Sequence, residues 1–286
     1  MNPQTTARLL ITCPDRPGIV SAVSSFFYNH GANITALDQY ATQPEHGTYF
    51  MRLEFQTPHM DLSRHVLSTT FQEAVAERYG MTWQLSFAAD RKRVAIMVSR
   101  HDHAMLELLW RWSRQTLPCD IHAVISNHPD LAAEVERFGV SFHHVPFTAD
   151  SREQAEAQVQ TLLQGADVVV LARYMQILSP AFVAAWPHRI INIHHSFLPA
   201  FVGANPYQQA YDKGVKLIGA TAHYVTADLD QGPIIEQGVS RVSHRDDVES
   251  LRALGQDLER QVLARAVRWH LEDRIILHGN KTIVFD

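Results

Sequence analysis

The 286-residue chain reads as two α/β domains in series, and three features of the sequence predict this. Residues 6–88 alternate in the order strand, helix, strand, strand, helix, strand. From residue 94 onward, short apolar runs alternate with amphipathic stretches, the pattern of a mostly parallel sheet with helices on both sides. Between them, Ala88-Ala-Asp-Arg-Lys-Arg93 is small and charged, as linkers are. The predicted layout is a first domain at 6–88, a linker at 89–93 and a second domain at 94–286.

The elements of the first domain follow from spacing. Ala7 to Cys13 reads as a strand, and Pro14–Gly18 as a turn with Asp15 as a helix cap. Ile19, Val20, Val23, Phe26 and Phe27 fall at helical intervals. Gly31 sits where a left-handed residue closes the helix. Ile34–Ala41 and Thr48–Phe55 are strands around a turn at 43–47. Met60–Tyr79 is an amphipathic helix and Met81–Phe87 the last strand.

The second domain opens with the strand Val94–Val98 and the helix Ala104–Trp112. Ile121–Ser126, Ser141–Val145, Val168–Leu171 and Arg189–Ile193 are expected strands, the third apolar enough to be buried on both faces. Pro129–Phe138 and Arg152–Gln164 are expected helices, with Pro129 near the start of the first. Asn205 caps a helix running to Lys213, with Pro206 in its first position. Leu217–Val225 and Pro233–Val242 are strands flanking a turn that carries Asp228 and Asp230. Ser243–Leu271 is a long helix or helix pair capped by Ser243 or Asp246, and a hairpin around Gly279–Asn280 ends the chain.

Composition narrows the function. The chain is 46% apolar and 19% charged, with net charge -5, so it lacks the basic footprint of a nucleic-acid binder. No apolar run is long enough to span a bilayer, and Met1–Arg8 lacks a signal-peptide core, which points to a cytoplasmic protein. Cys13 and Cys119 have no metal-site spacing and read as buried free thiols. The 17 histidines include adjacent pairs, but strand neighbours face opposite ways, so no metal site is expected.

The chemistry gathers at Asn192-Ile-His194-His195-Ser196 and two later segments, Gly219-Ala-Thr-Ala-His223 and Leu229-Asp230-Gln-Gly-Pro233. Asn192 and His194 share one face of a strand, and His195 then points away. An amide donates to a carbonyl oxygen gaining charge, an imidazole does so or moves a proton, and a carboxylate holds the imidazole or activates water. Singly, each residue is ordinary: a cap, a packed histidine, a turn. Ser196 reads as a turn residue, and a packed structural role is expected for His143 and His223.

Residues 6–88 resemble the ACT domain, a ferredoxin-like regulatory module, through Asp15-Arg-Pro-Gly-Ile-Val20 and Gly31-Ala-Asn-Ile34. The resemblance implies an amino-acid effector near Asp15, Gly18 and Asn33, and pairing of ACT domains into a homo-oligomer. The alternative is a dimerisation surface alone. Residues 93 to about 275 resemble the folate-dependent formyltransferase family, with a Rossmann-like sheet. The matching residues are Asn192, His194, Ser196, Leu198-Pro199, Gly203, Gly219-Ala-Thr221, His223 and Leu229-Asp230-Gln-Gly-Pro233.

That resemblance implies Asn192, His194 and Asp230 as the catalytic set. It also implies a folate pocket formed by Arg173, Tyr174, Met175, Ile177 and Leu178, with His223 and Asp228 nearby. No cofactor is implied, since 10-formyltetrahydrofolate is a substrate. Members that formylate a nucleotide hold its phosphate on a Gly-rich loop after the first strand. Here that loop is Ser99-Arg-His-Asp-His103, without glycine, and Asp102 repels phosphate, although Arg100 remains free to bind an anion. Fusion to an ACT domain points the same way, to a hydrolytic branch that releases formate and serves purine synthesis. Formyl transfer to an amine, or a non-catalytic folate or amino-acid sensor, are the alternatives.

Overall fold

The structure, a computed structural model, describes residues 2–43, 47–148, 151–198 and 206–286. Thr6–Pro14 (β1) is the strand on which the first unit is built. It pairs antiparallel with Thr48–Gln56 (β3) and Thr82–Phe87 (β4), and Asn33–Ala41 (β2) adds beyond β3, giving the order β2-β3-β1-β4. Leu9, Ile11 and Cys13 share a buried core with Val23 and Phe27 of Ile19–Asn29 (α1) and with Phe71 of Arg64–Phe71 (α2). This is the predicted βαββαβ order.

Local departures have local causes. Asp15 does not cap α1; the cap position is Gly18 at φ 96, a conformation suited to glycine. The expected helix from Met60 starts only after Ser63, whose hydroxyl accepts from Val66 N. It continues through a π-helical turn, Gln72–Ala76, to Glu77–Tyr79 (α3). Residues 44–46 of the expected 43–47 turn lie outside the described residues.

The other sheet face is polar and apolar at once. Arg8, Arg52 and Glu54 interlock there, with Glu54 Oε2 3.1 Å from Arg8 Nε and 3.0 Å from Arg52 Nη2. Arg52 Nε donates to Asp273 O at 3.0 Å, and Leu10 and Phe50 pack on Ile276 and Phe285. Residues 272–278 and 283–286 therefore group with residues 1–91 as one compact unit.

The second unit spans 92–271 with 279–282. Its strands are Lys92–Val98 (β5), Cys119–Ser126 (β6), Phe142–His144 (β7), Val168–Leu171 (β8), Ile190–His194 (β9), Leu217–Tyr224 (β10) and Ile234–Arg241 (β11). They lie in the order β11-β10-β9-β8-β5-β6-β7. The β5, β6, β7, β8 and β9 pairings are parallel, and β10 joins β9 and β11 antiparallel. The sheet is thus mixed but mostly parallel, as the alternating pattern predicts. Lys92 and Arg93, expected in the linker, already belong to β5.

The helices are His103–Ser113 (α4), Ala132–Glu136 (α5), Arg152–Leu162 (α6), Pro180–Ala184 (α7), Pro206–Lys213 (α8) and Val248–Leu271 (α9). Expected over 129–138, α5 is a single short turn, because Pro129 O closes a turn with Ala132 N first. The short α7, not expected, is capped by Ser179. Neither Ser243 nor Asp246 caps α9. They bond each other, while Asp247 Oδ1 accepts from Ser250 N. Asn205 and Gly203 lie outside the described residues. A hairpin, Ile275–His278 (β12) and Lys281–Val284 (β13), ends the chain.

Gly31 adopts φ 76, and a Cβ there meets His59 O at 2.3 Å. At Gly80, φ is 61 but nothing lies within 4 Å. Gly31→Ala is expected to destabilise the first unit by about 1–3 kcal/mol, and Gly80→Ala by only about 1 kcal/mol. Urea unfolding midpoints check this; equal losses contradict it.

Candidate active site

The site grows from one strand pairing. In the β9–β10 ladder Asn192 stands opposite His223, and His194 opposite Thr221. A register shift between Ala222 and His223 interrupts the β10–β11 ladder, and such bulges re-aim side chains. Asn192 Nδ2 lies 3.2 Å from His223 Nε2. His223 Nδ1 lies 2.9 Å from Tyr224 O, so it carries a hydrogen, and Nε2 faces the Asn192 amide. His223 is only 2% exposed.

The turn after β10 brings the carboxylate. Gly232 packs so closely on Tyr224 O that a Cβ has no space there. Asp230 holds φ 55, a left-handed conformation that Asp tolerates better than most residues. Its Oδ2 lies 3.3 Å from His194 Nδ1, and its Oδ1 3.6 Å from His223 Nε2, a charge contact too long for a hydrogen bond. The imidazoles of His194, first, and His223, second, hold the Asp230 carboxyl well below the usual carboxylate range, against partial burial, which acts in the opposite direction. A carboxylate so stabilised is a weak base and a strong partner for an imidazolium. His194 Nε2 is buried with no hydrogen-bond partner among the described residues.

Asn192, His194, His223 and Asp230 line a cleft of about 240 Å³. Its opposite wall is the segment after β8, where Arg173, Tyr174, Met175, Ile177 and Leu178 all contribute. Met175 and Ile177 are exposed at its mouth. Asp228 is not in the lining; its carbonyl accepts from Thr226 Oγ1 at 3.1 Å and so shapes the turn. His143 sits on β7 beside Ile125, at the far edge of the sheet, and does not line the cleft. Ser196 is buried, with its carbonyl accepting from Thr221 Oγ1.

Two features differ from what the sequence leads one to expect, and a third has no signal in it. His195 does not point away: β9 ends at His194, alternation stops, and the two rings stack 5.0 Å apart. Burial first, then the charges of Arg173 and His194, push the His195 ring down to about 4, so it is neutral at working pH. His223, expected as packing, is in the centre of the group. Beyond Arg173 and His195 lies a buried cluster around Glu259, bonded by His103 Nε2 at 2.8 Å and Tyr207 Oη at 3.0 Å. Burial alone raises the Glu259 carboxyl, but His103 and Arg173 outweigh it and hold it below its ordinary value. Among the described residues, no group of three or more His, Cys, Asp and Glu is arranged to hold a metal.

In the first unit, the three expected effector residues do not meet within one copy. Asp15 N bonds Gly47 O beside the Thr48 end of β3, whereas Asn33 pairs with Gln56 at the other end. Eight strand residues separate those ends, about 26 Å. Gly18 is fixed by backbone geometry, with Tyr79 Oη donating to its carbonyl at 3.3 Å.

Residues 92–267 match the formyl transferase family, and residues 7–61 the ACT domain. A formyltetrahydrofolate deformylase of Bacillus subtilis strain 168 is 56% identical over 281 residues, 98% of this chain and 93% of that one. One from Mycobacterium bovis is 55% identical over 279 residues, 97% of this chain and 90% of that one. The crystal structure of a formyltetrahydrofolate deformylase from Pseudomonas syringae pv. tomato superposes with a TM-score of 0.94 at 49% identity, covering 99% of this chain and 95% of that one.

Because the folded pKa of Asp230 is depressed, its contribution to stability is complete above the unfolded value of about 3.9 and is lost as pH falls through and below it. The wild-type advantage over Asp230→Asn in urea unfolding is therefore expected in full at pH 7 and should narrow progressively as pH falls below about 4. A gap independent of pH contradicts the charge contacts.

Proposed function

The chain belongs to the formyltetrahydrofolate deformylase family, and we propose that Asn192, His194 and Asp230, with His223, carry out its hydrolysis of 10-formyltetrahydrofolate to tetrahydrofolate and formate. The observation that carries the assignment is the Asp230 carboxylate set against two imidazoles on the wall of a cleft of about 240 Å³.

The chemistry follows from the protonation logic. Asp230 against Nδ1 fixes the His194 tautomer with its hydrogen on Nδ1, which leaves the buried Nε2 lone pair without a protein partner among the described residues and open to a proton. A water attacks the formyl carbon and gives its proton to Nε2. The carbonyl oxygen gains negative charge, and the second Nδ2 hydrogen of Asn192 donates to it. The imidazolium, stabilised by Asp230, returns its proton to N10 as the carbon–nitrogen bond breaks and the oxyanion re-forms a carbonyl; formic acid leaves and ionises to formate. Asp230 acts through the imidazole, since its carboxylate is set against Nδ1. His223 holds the Asn192 amide in place. No side-chain nucleophile takes part.

The ACT match supports an amino-acid effector at the Asp15–Gly18 turn and assembly through paired ACT units. Asn33 belongs to no such site within one copy. Two buried cysteines outside any disulfide fit a reducing cytoplasm. Released formate and free tetrahydrofolate are the link to purine synthesis.

Incubation with 10-formyltetrahydrofolate and no acceptor is expected to release formate. Formate that appears only when an amine is added would sink the hydrolase assignment. His194→Ala and Asp230→Asn should each lower turnover by about a hundredfold to a thousandfold while their circular dichroism stays native. Near-normal turnover in either variant rules out its role.

A further inference from the structure

The cleft wall at 173–178 has no helix or strand of its own, so its shape depends on bonds to the rest of the unit. Its first residue, Arg173, is left-handed at φ 64. The Arg173 guanidinium reaches Glu259 on α9, with Nε 3.5 Å from Oε2, and Glu259 is 1% exposed. In the middle, Met175 N donates to Ser99 Oγ at 3.0 Å, and Ser99 Oγ donates to Asn127 Oδ1 at 2.7 Å. At the far end, Glu156 on α6 is 9% exposed. Its Oε1 accepts from Ser179 N at 2.8 Å, and its Oε2 accepts from the Ser179 hydroxyl. Arg152 joins there: Nη2 donates to Ile177 O at 2.6 Å, and Nε lies 3.5 Å from Glu156 Oε1.

We propose that Glu156 and Glu259 are positioning residues, two buried carboxylates that clamp the 173–178 segment at its ends and so preset the wall against which the folate substrate lies. The proposal rests on the cleft being the folate site. Neither carboxylate lines the cleft, and the reaction uses neither. A carboxylate accepts several bonds at once, so Glu156 fixes a main-chain amide and a hydroxyl with one side chain. If the segment swung away, Glu156 would lose Ser179, and Glu259 would lose the Arg173 charge and keep only His103 and Tyr207, which disfavours the open state. A wall held in place in advance strengthens binding by removing the ordering cost; it does not alter the chemical step.

The test uses the full chain. Glu156→Gln and Glu259→Gln should raise KM for 10-formyltetrahydrofolate by about tenfold, with kcat within about threefold of wild type. Amide hydrogen exchange at 174–178 should quicken by at least about tenfold, while β8 and β9 stay protected. If either variant fails to fold, Arg152→Met and Ser179→Ala loosen the far end from more exposed positions and carry the same KM and exchange expectation. Unchanged KM with unchanged exchange overturns the clamp, as does a fall in kcat at constant KM. Should the wild type release no formate, the hydrolase assignment fails, and exchange at 174–178 still decides the clamp.

Discussion

The ladder between β9 and β10 is the constraint on which the site depends. It sets Asn192 across from His223 at 3.2 Å, with both side chains on the same face. It also ends at His194, so that His195 escapes the strand alternation and stacks on its neighbour. The turn after β10 then needs one tight approach, Gly232 against Tyr224 O, to return Asp230 to the two imidazoles. The site has a left-handed residue on each wall, Asp230 and Arg173. Each is held there by charged or hydrogen-bonded neighbours, the usual company of local backbone strain.

Burial divides the labour among the titratable groups. Asp230 stays ionised because two imidazoles face it, and His195 stays neutral because burial and Arg173 disfavour its charge. His194 lies between them, stacked on a neutral ring and in contact with a carboxylate. Behind it, Glu259 with His103 and Tyr207 forms a buried polar layer that is satisfied within the protein.

Much of this was legible in the sequence. The period-two and period-3.6 patterns placed β1, α1, β3, β5, β8 and β10 within a few residues, because each buries a continuous apolar face. Asn192 and His194 were readable as a same-face pair because strand geometry has one period. His195 was misjudged because alternation holds only inside a strand, and β9 stops one residue earlier. The role of His223 was hidden for another reason: its neighbours are set by a cross-strand register and a bulge, and neither has a local signature. Glu259 and Glu156 sit on helix faces where spacing alone predicts core or surface. Their partners are 156 and 23 residues away. The packing of residues 272–278 and 283–286 with the first sheet is likewise a long-range fact, carried by Ile276 and Phe285.

The central claim is that the His194 imidazole and the Asp230 carboxylate act as one unit. A double-mutant cycle on formate release measures this most directly, using His194→Ala, Asp230→Asn and the pair together. If they act as a unit, the double variant should be scarcely slower than the slower single variant, since removing either partner already disables the other. Losses that multiply across the two sites would mean that each acts alone, and would contradict the account.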